Sequence, residues 1–417
     1  VCSSDLIWRQ RNIFFFDGMR MELGACHRRY PISKDYADAT EQFSGQAGVD
    51  EDGNLWGYVA GIPFPPDSID LNDPDAGIKW AWNLEHRYRG AGPHGKFRIT
   101  DMPSRIGGIQ VYTGDFFHLR TRHRSDLVDS EFAVPGSDKS LWIGGGRFDT
   151  PFDARHLAWR QMRPIKTEQK YQQTDSTFVY VPTMRKVRRA ATAWVDGMYT
   201  PRYRIGGDHG GGSVAVGSNG QTPTGSVSPT SALSAAITEH LRSGFTDLAI
   251  RPNAYHWRVL GEREVLAPIN STRSGYPFDL ERNFGSMGLS VGSDRWEVRL
   301  AVVLEGSART RAEGFQFIQI YVDYQSQLPL YIITRRSRGL LVDIGIPVHR
   351  FSGDVIDYPN WPADERAVLF DPVAAVFYHV ADGGSGWRRE AYDIQSVPPN
   401  DKSLRRMTST NYLVRGH

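Results

Sequence analysis

The sequence predicts a mainly β (α+β) protein whose antiparallel sheet is layered or curved enough to bury both of its faces. The first observation is the run FQFIQIYVDYQSQLPLYIITRRSRGLLVDI at residues 315–344, which reads as three strands joined by two short turns. In its first strand Phe315, Phe317 and Tyr321 hold odd positions, and Ile318, Ile320 and Val322 hold even ones. Side chains alternate faces along a strand, so both faces are apolar, whereas a sheet with one wet face alternates apolar with polar. A sandwich, a barrel or a strongly curved half-barrel meets that demand. The second observation is that nearly everything after residue 295 reads as strand. The third is an aromatic content of 12%, which favours strands and ligand-lined walls.

Bulk properties remove several function classes. The 417 residues suffice for two or three average domains or one large β body. A net charge of +2 is too small to argue for nucleic acid, and the basic clusters at 185–189, 335–338 and 405–406 read as solvated turns and strand ends. No stretch of about 18 uncharged apolar residues occurs, so no transmembrane helix is expected. Residues 1–6, VCSSDL, resemble a translated sequencing-adapter scar. They are set aside with Cys2, and a true start with any export signal is expected to be missing. Leu23-Gly24-Ala25-Cys26 resembles a lipobox, but Asp17, Arg20 and Glu22 interrupt the apolar run it needs. Cys26 is therefore expected to be a buried structural cysteine.

The elements follow in order. Ile13-Phe14-Phe15-Phe16 and the run 19–23 flank Asp17-Gly18, a type I′ turn dipeptide, and predict a tight hairpin. Asp52-Gly53 repeats the signal before a strand at 55–59. Gly61-Ile62-Pro63-Phe64-Pro65-Pro66 predicts an ordered apolar loop, because prolines remove backbone donors. Residues 76–88 place Ile78, Trp82, Glu85 and Arg89 at rough helical spacing, with Trp80 off the stripe. Residues 116–120 read as strand and 153–162 as a short helix capped by Asp153. Residues 177–181, a Pro182-Thr183-Met184 turn and 185–190 make a second hairpin. Residues 206–225 are a glycine-rich loop, and 230–241 are a helix. One meander is predicted from strands at 297–304, 315–323, 328–334 and 339–344. Another comes from 367–370, 373–380, 387–395 and 411–414, with turns at Asp371-Pro372 and Asp382-Gly383-Gly384.

Gly288-Leu289-Ser290-Val291-Gly292 matches the G-x-S-x-G elbow of serine hydrolases. His209-Gly210-Gly211-Gly212 upstream, and Asp343 or Asp371 and His379 downstream, complete the chain order of an esterase. The context argues against it, because no strand precedes Ser290 and no helix follows. Ser290 is expected on an exposed loop with no histidine in reach, and the chain is expected not to be an enzyme. The 12 histidines show no zinc-site spacing, and no nucleotide-binding loop follows a strand. No catalytic residue, metal or cofactor is therefore assigned. The remaining candidate site is the aromatic phase of the strands, Phe178, Tyr180, Phe315, Phe317 and Tyr321, expected as one wall of a lipid-sized cavity.

Several stretches together resemble a bacterial envelope family, domain of unknown function 1329. Gly57-Tyr58-Val59-Ala60-Gly61-Ile62-Pro63-Phe64-Pro65, Trp82-Asn83 and Arg87-Tyr88-Arg89-Gly90 resemble its G-I-P-F-P, W-N and R-Y-R-G signature. Tyr180-Val181-Pro182 with the arginines at 185–189 resembles its strand-turn-strand. Tyr255, Trp257, Gly261 and Glu264 resemble its Y-x-W-x-L-x-G and E stretch, and residues 317–330 resemble its Y-x-D and P-L pair. The resemblance spans roughly residues 57–400; the N-terminal segment and the tryptophan- and arginine-rich portion after residue 348 depart from the family. Family members resemble the lipoprotein carrier and receptor of outer-membrane lipoprotein sorting. The resemblance thus implies a half-barrel closed by helices, an exported protein in the periplasm or at the outer membrane, and a hydrophobic small molecule or lipid as ligand. A resistance-nodulation-division exporter or an outer-membrane protein is the partner it implies, with no nucleic acid. The expected organisation is a lead-in with the hairpin at 7–56 and a curved β-sheet domain at 57–417. The expected function is binding or shuttling a hydrophobic ligand. The alternatives are a transporter accessory without ligand, or an esterase using Ser290.

Overall fold

A computed structural model of the chain describes residues 10–102, 108–127, 137, 139–190, 248–272, 284–285, 287–292, 294–310, 315–362, 364–380 and 386–415. The early elements are α1 (Arg11–Phe14), β1 (Glu22–Leu23), α2 (Lys34–Phe43), β2 (Gly48–Val49), β3 (Leu55–Trp56) and α3 (Ala76–Glu85). A first meander follows: β4 (His94–Met102), β5 (Gln110–Arg120), β6 (Ser140–Thr150), β7 (Ala158–Pro164), β8 (Ser176–Val181) and β9 (Lys186–Ala190). A second comprises β10 (Tyr255–Ala267), β11 (Arg295–Ala308), β12 (Phe317–Asp323), β13 (Pro329–Arg335), β14 (Leu341–Phe351), β15 (Phe370–His379) and β16 (Gly386–Gln395). Two short helices end the described chain, α4 (Asp401–Thr408) and α5 (Tyr412–Arg415).

Fourteen strands form one open sheet, in which β16 pairs antiparallel with β4 and so joins the second meander to the first. Every pairing between neighbours in the two meanders is antiparallel, and only β1 joins in parallel, against β11. The predicted antiparallel run over 295–395 is therefore borne out. The sheet is strongly curved, and a length argument shows it. β10 and β8 are eleven strand steps apart, about 50 Å if flat at roughly 4.8 Å per step. Yet Arg251, four residues before β10, donates a 2.6 Å hydrogen bond to Asp175, the residue before β8. Four residues span at most about 14 Å. Arg163 of β7 also reaches the carbonyl of Ile250. Among the described residues the two ends of the sheet therefore curl toward each other without pairing, a half-barrel rather than a closed one.

Both faces are covered, as the double apolar pattern demands. On the concave face Val302, Leu304, Ile318, Ile320, Val322 and Ile332 meet Trp80, Trp82 and Leu84 of α3. A helix lying inside the curve has no wet side, so Trp80, off the predicted stripe, is as buried as Trp82. Further round, Phe97, Phe116, Phe148, Trp159 and Tyr392 continue this face. It is not uniformly apolar: His118, Arg120, Gln161 and Arg163 are buried there among the strands β5 and β7. The convex face carries Val303, Tyr321, Tyr331, Ile333, Ile344, Val376 and Tyr378 under Phe14, Leu289 and Val291. Beyond it, Phe117, Leu119 and Ile143 lie under Leu404 and Met407 of α4.

The structure explains several signature residues as supports of the fold. The predicted apolar loop at 61–66 is present, and Asn83 of α3 holds it, accepting from the Phe64 N–H at 3.0 Å and donating to the Phe64 carbonyl. Thr40 accepts from the Ile62 N–H at 2.8 Å. Gly61 has φ +82°, and a Cβ there would stand 2.5 Å from the Thr40 backbone. Arg87 and Arg89 both donate to the Leu248 carbonyl, tying α3 to the lead-in of β10.

Some expectations are corrected. The N-terminal hairpin does not form: the run 13–16 begins in α1, and Glu22 and Leu23 pair with Arg295 and Trp296 instead. Burial of Phe14 edge-on against Tyr378, 6.3 Å between centroids, outweighs the local turn signal. The helix expected at 153–162 does not form: residues 158–162 belong to the strand β7, because pairing with β6 and β8 overrides local propensity. Asp371-Pro372 is no turn but lies inside β15, opposite a bulge between Val348 and His349 that tolerates the proline. The strand expected at 411–414 is the helical turn α5. Cys26 is exposed rather than buried. Residues 1–6, the loop at 206–225, the helix at 230–241, His209-Gly210-Gly211-Gly212 and Asp382-Gly383-Gly384 lie outside the described residues.

Candidate functional site

The five predicted wall residues do not line one wall. Phe317 and Tyr321 share the convex face of β12, where Tyr321 stacks edge-on against Tyr331 at 5.8 Å. Phe315 precedes that strand and packs on the concave cluster instead. Phe178 and Tyr180 lie on β8, nine strand steps away. The periodicity gave each residue its phase along a strand but not the order of strands in the sheet. Phe178 and Tyr180 are nevertheless well placed: they pair with Arg160 and Ala158 of β7, which line the larger pocket described here.

That pocket, of about 270 Å³, lies between the convex face of β4–β7 and the C-terminal helices. Its floor is His94, Gly95, Phe116, Phe117, Gly146 and Ala158, and its roof is Ser403, Arg406, Met407, Tyr412 and Leu413. Sequence dictates both layers. Asn400 caps α4 by accepting from the Ser403 N–H at 2.9 Å, and the helix turns Leu404 and Met407 onto the sheet. In β6, Gly145 clears the space beside the floor. A Cβ at Gly145 would stand 3.0 Å from the Arg160 guanidinium and 2.4 Å from the Trp159 carbonyl.

Arg160 therefore lies flat across β6, its guanidinium 4.8 Å from the Phe117 ring centroid. It donates to the carbonyls of Trp159 at 2.8 Å and of Arg406 at 3.2 Å. Arg406 is in the last turn of α4, where a cation also suits the helix dipole. Arg160 is 8% exposed, its Nε has no hydrogen-bond partner, and among the described residues no carboxylate pairs with it. Burial, and then the charge of Arg406, push its pKa down to about 9. At the rim, Asp115 is held above the usual carboxylate range by burial and then by Asp149, against Lys96, Arg147 and Arg406. Burial also keeps His94 below the ordinary histidine value. The arrangement offers a largely apolar floor and roof with a buried cation, Arg160, at the side that no described carboxylate pairs with. Arg160 was hidden in the sequence because residues 153–162 read as helix. The available signal was Gly144-Gly145-Gly146 inside an apolar run, a mark of close approach across a strand.

A second pocket, of about 40 Å³, lies among Tyr30, Ile32, Tyr36, Ile62, Tyr88 and Phe351. It has room for a few waters rather than an acyl chain.

The esterase constellation is not assembled. Ser290 is 1% exposed, not on an exposed loop as expected, and its hydroxyl donates to the Met19 sulfur at 3.2 Å and accepts from the Gly292 N–H. Its neighbours Leu289 and Val291 pack on the convex face with Ile344 and Tyr378. His379 and Asp343 are hydrogen-bonded to each other at 2.6 Å, but they alternate with Tyr378 and Ile344 and so point to the concave face. Serine and histidine stand on opposite sides of the sheet.

Comparison with known proteins bears out the family resemblance over residues 10–203, which match the family described as Protein of unknown function (DUF1329); the match includes the N-terminal segment expected to depart from the family and stops well short of residue 400. No curated protein matches the chain. Among solved structures, a putative outer membrane lipoprotein-sorting protein domain from Vibrio parahaemolyticus is 12% identical, with TM-score 0.44, covering 82% of this chain and 100% of that one. A DUF1329 family protein from Desulfovibrio piger is 11% identical, with TM-score 0.44 and the same coverages of 82% and 100%. A LolA superfamily protein from Nitrosomonas europaea is 12% identical, with TM-score 0.34, covering 79% of this chain and 94% of that one.

Proposed function

We propose that this protein binds a hydrophobic ligand in the bacterial envelope, in the periplasm or at the outer membrane, and that it is not an enzyme. The observation that supports this reading is the pocket of about 270 Å³ between α4, α5 and the sheet, with Phe117, Met407 and Leu413 in its walls. It lies just below the roughly 300–1,000 Å³ of common small-molecule sites, so it takes a slender chain. About six buried methylenes at about 0.8 kcal/mol each give about 5 kcal/mol before ordering costs. Before those costs that corresponds to a dissociation constant of about 0.2 mM, so the chain alone binds no more tightly than this. The exposed end of such a chain would leave between α4 and the rim, where an exporter or an outer-membrane protein could take it over.

The test is titration of the full chain with the neutral fluorescent probe Nile red. The parent binds, and Met407→Asp, shown folded by circular dichroism, binds about tenfold more weakly or worse because a carboxylate has entered an apolar roof. Undiminished binding in that folded variant would remove the pocket as the site. No binding by the parent would favour an accessory protein that holds no ligand.

A further inference from the structure

We propose that the ligand carries an anionic head group, a long-chain carboxylate being the simplest case, and that Arg160 and Arg406 receive it; this rests on the pocket reading above. A guanidinium carries five N–H donors, and Arg160 spends its described hydrogen bonds on two neutral carbonyls. Its Nε has no partner and no described carboxylate neutralises it, although it is buried. Buried charges in proteins are ordinarily paired, and one left open beside a pocket is a receptor for the opposite charge. The helix end accounts for one N–H and for the docking of α4, but it leaves the charge without an anion. Arg406 stands exposed at the rim, lining the same pocket. Of the charged side chains that line the pocket, Arg160, Arg406 and Arg147 stand against Asp115. The balance is positive. The floor that follows, Phe117 under the guanidinium and Met407 opposite, is apolar, so a head at Arg160 directs a tail along it.

Isothermal titration of the full chain with dodecanoate and with dodecanol separates the head from the tail. Dodecanoate should bind about tenfold or more tightly than dodecanol. Arg160→Gln, which keeps donors but loses the charge, should lower dodecanoate affinity well beyond any change in dodecanol affinity and so erase that preference. Arg160→Lys should keep part of it, and Arg406→Gln, at the rim and outside the packing of α4, should lower dodecanoate affinity by about threefold. Equal affinities of the parent for acid and alcohol would overturn the head-group inference while the pocket reading stands. Binding of neither would overturn both. A preference for acid that survives unchanged in both Arg160→Gln and Arg406→Gln would place the anion elsewhere and overturn the assignment.

Discussion

Gly77→Ala should destabilise the protein, although by helix propensity alone it should help. Alanine is favoured over glycine in a helix interior by about 1 kcal/mol, and Gly77 lies in α3 with ordinary helical backbone. The surroundings reverse the sign. A Cβ at this position would stand 2.7 Å from the Trp257 carbonyl carbon, 2.8 Å from its oxygen and 2.9 Å from the Arg258 nitrogen. These are backbone atoms of β10, held by its ladder to β11, so they cannot rotate away. The helix must retreat by roughly 0.7 Å to restore ordinary contact, and a gap of that size forfeits about a quarter to a half of each dispersion well it opens. Trp80, at 0% exposure, Trp82 and Leu84 all ride on α3. Overpacking of this kind costs about 1–3 kcal/mol, so after the propensity gain a net loss of up to about 2 kcal/mol is expected. Urea denaturation followed by tryptophan fluorescence and far-ultraviolet circular dichroism reads it as a lower midpoint at unchanged slope. Gly45→Ala is the control, since nothing lies within 4 Å of a Cβ there, and it should be neutral or slightly stabilising. A Gly77→Ala protein as stable as the parent would refute the claim that α3 is seated by backbone contact.

Asn83→Ala should cost about 2–3 kcal/mol in the same assay, because it orphans the buried N–H and carbonyl of Phe64 together. Arg28 holds Asp354 through two hydrogen bonds of 2.6 and 2.7 Å, and it is the main reason the Asp354 pKa falls from 3.8 to about 2. A depressed carboxylate contributes stability that is present above pH about 4 and lost as pH falls through about 2. With both side chains about a third exposed, the contribution is about 1–2 kcal/mol. Arg28→Ala should remove most of it and flatten stability across that window; an unchanged acid limb would contradict the pairing. Ser290→Ala should leave any ester hydrolysis by the purified protein unchanged, and loss of an activity present in the parent would revive the hydrolase reading.

What the sequence made legible depended on how local the cause was. The strands β11 to β13 could be read because their alternation and their turns lie within a few residues of one another. The double apolar face correctly demanded two covering layers, and α3 could be read from helical spacing even though its Trp80 fell off the stripe. The wall of Phe178, Tyr180, Phe315, Phe317 and Tyr321 failed as a wall because strand neighbourhood is a long-range property, and β8 and β12 lie on different meanders. The 153–162 segment failed for the same reason: its alternation, Trp159 and Gln161 inward against Arg160 outward, acquires meaning only between β6 and β8. Arg160 meets the carbonyl of a residue 246 positions away. No window along the chain holds both halves of that pocket.

The joint between β16 and β4 bears on how the chain reaches this state. Within each meander successive strands pair with their chain neighbours, so hairpins can close over connections far shorter than the chain between β4 and β16. The exception pairs Trp387 with Met102 and Gln395 with His94, positions nearly three hundred residues apart. Apart from the two-residue pairing of β1 with β11, the distant loop closure within the sheet falls on that one ladder. Substitutions that weaken β16 or β4 should therefore slow folding, whereas equal losses in β12 or β13 should mainly hasten unfolding. Until the ladder forms, β16 and β4 each expose an unpaired strand edge, which makes them the places where a second copy of the chain would most readily pair in error.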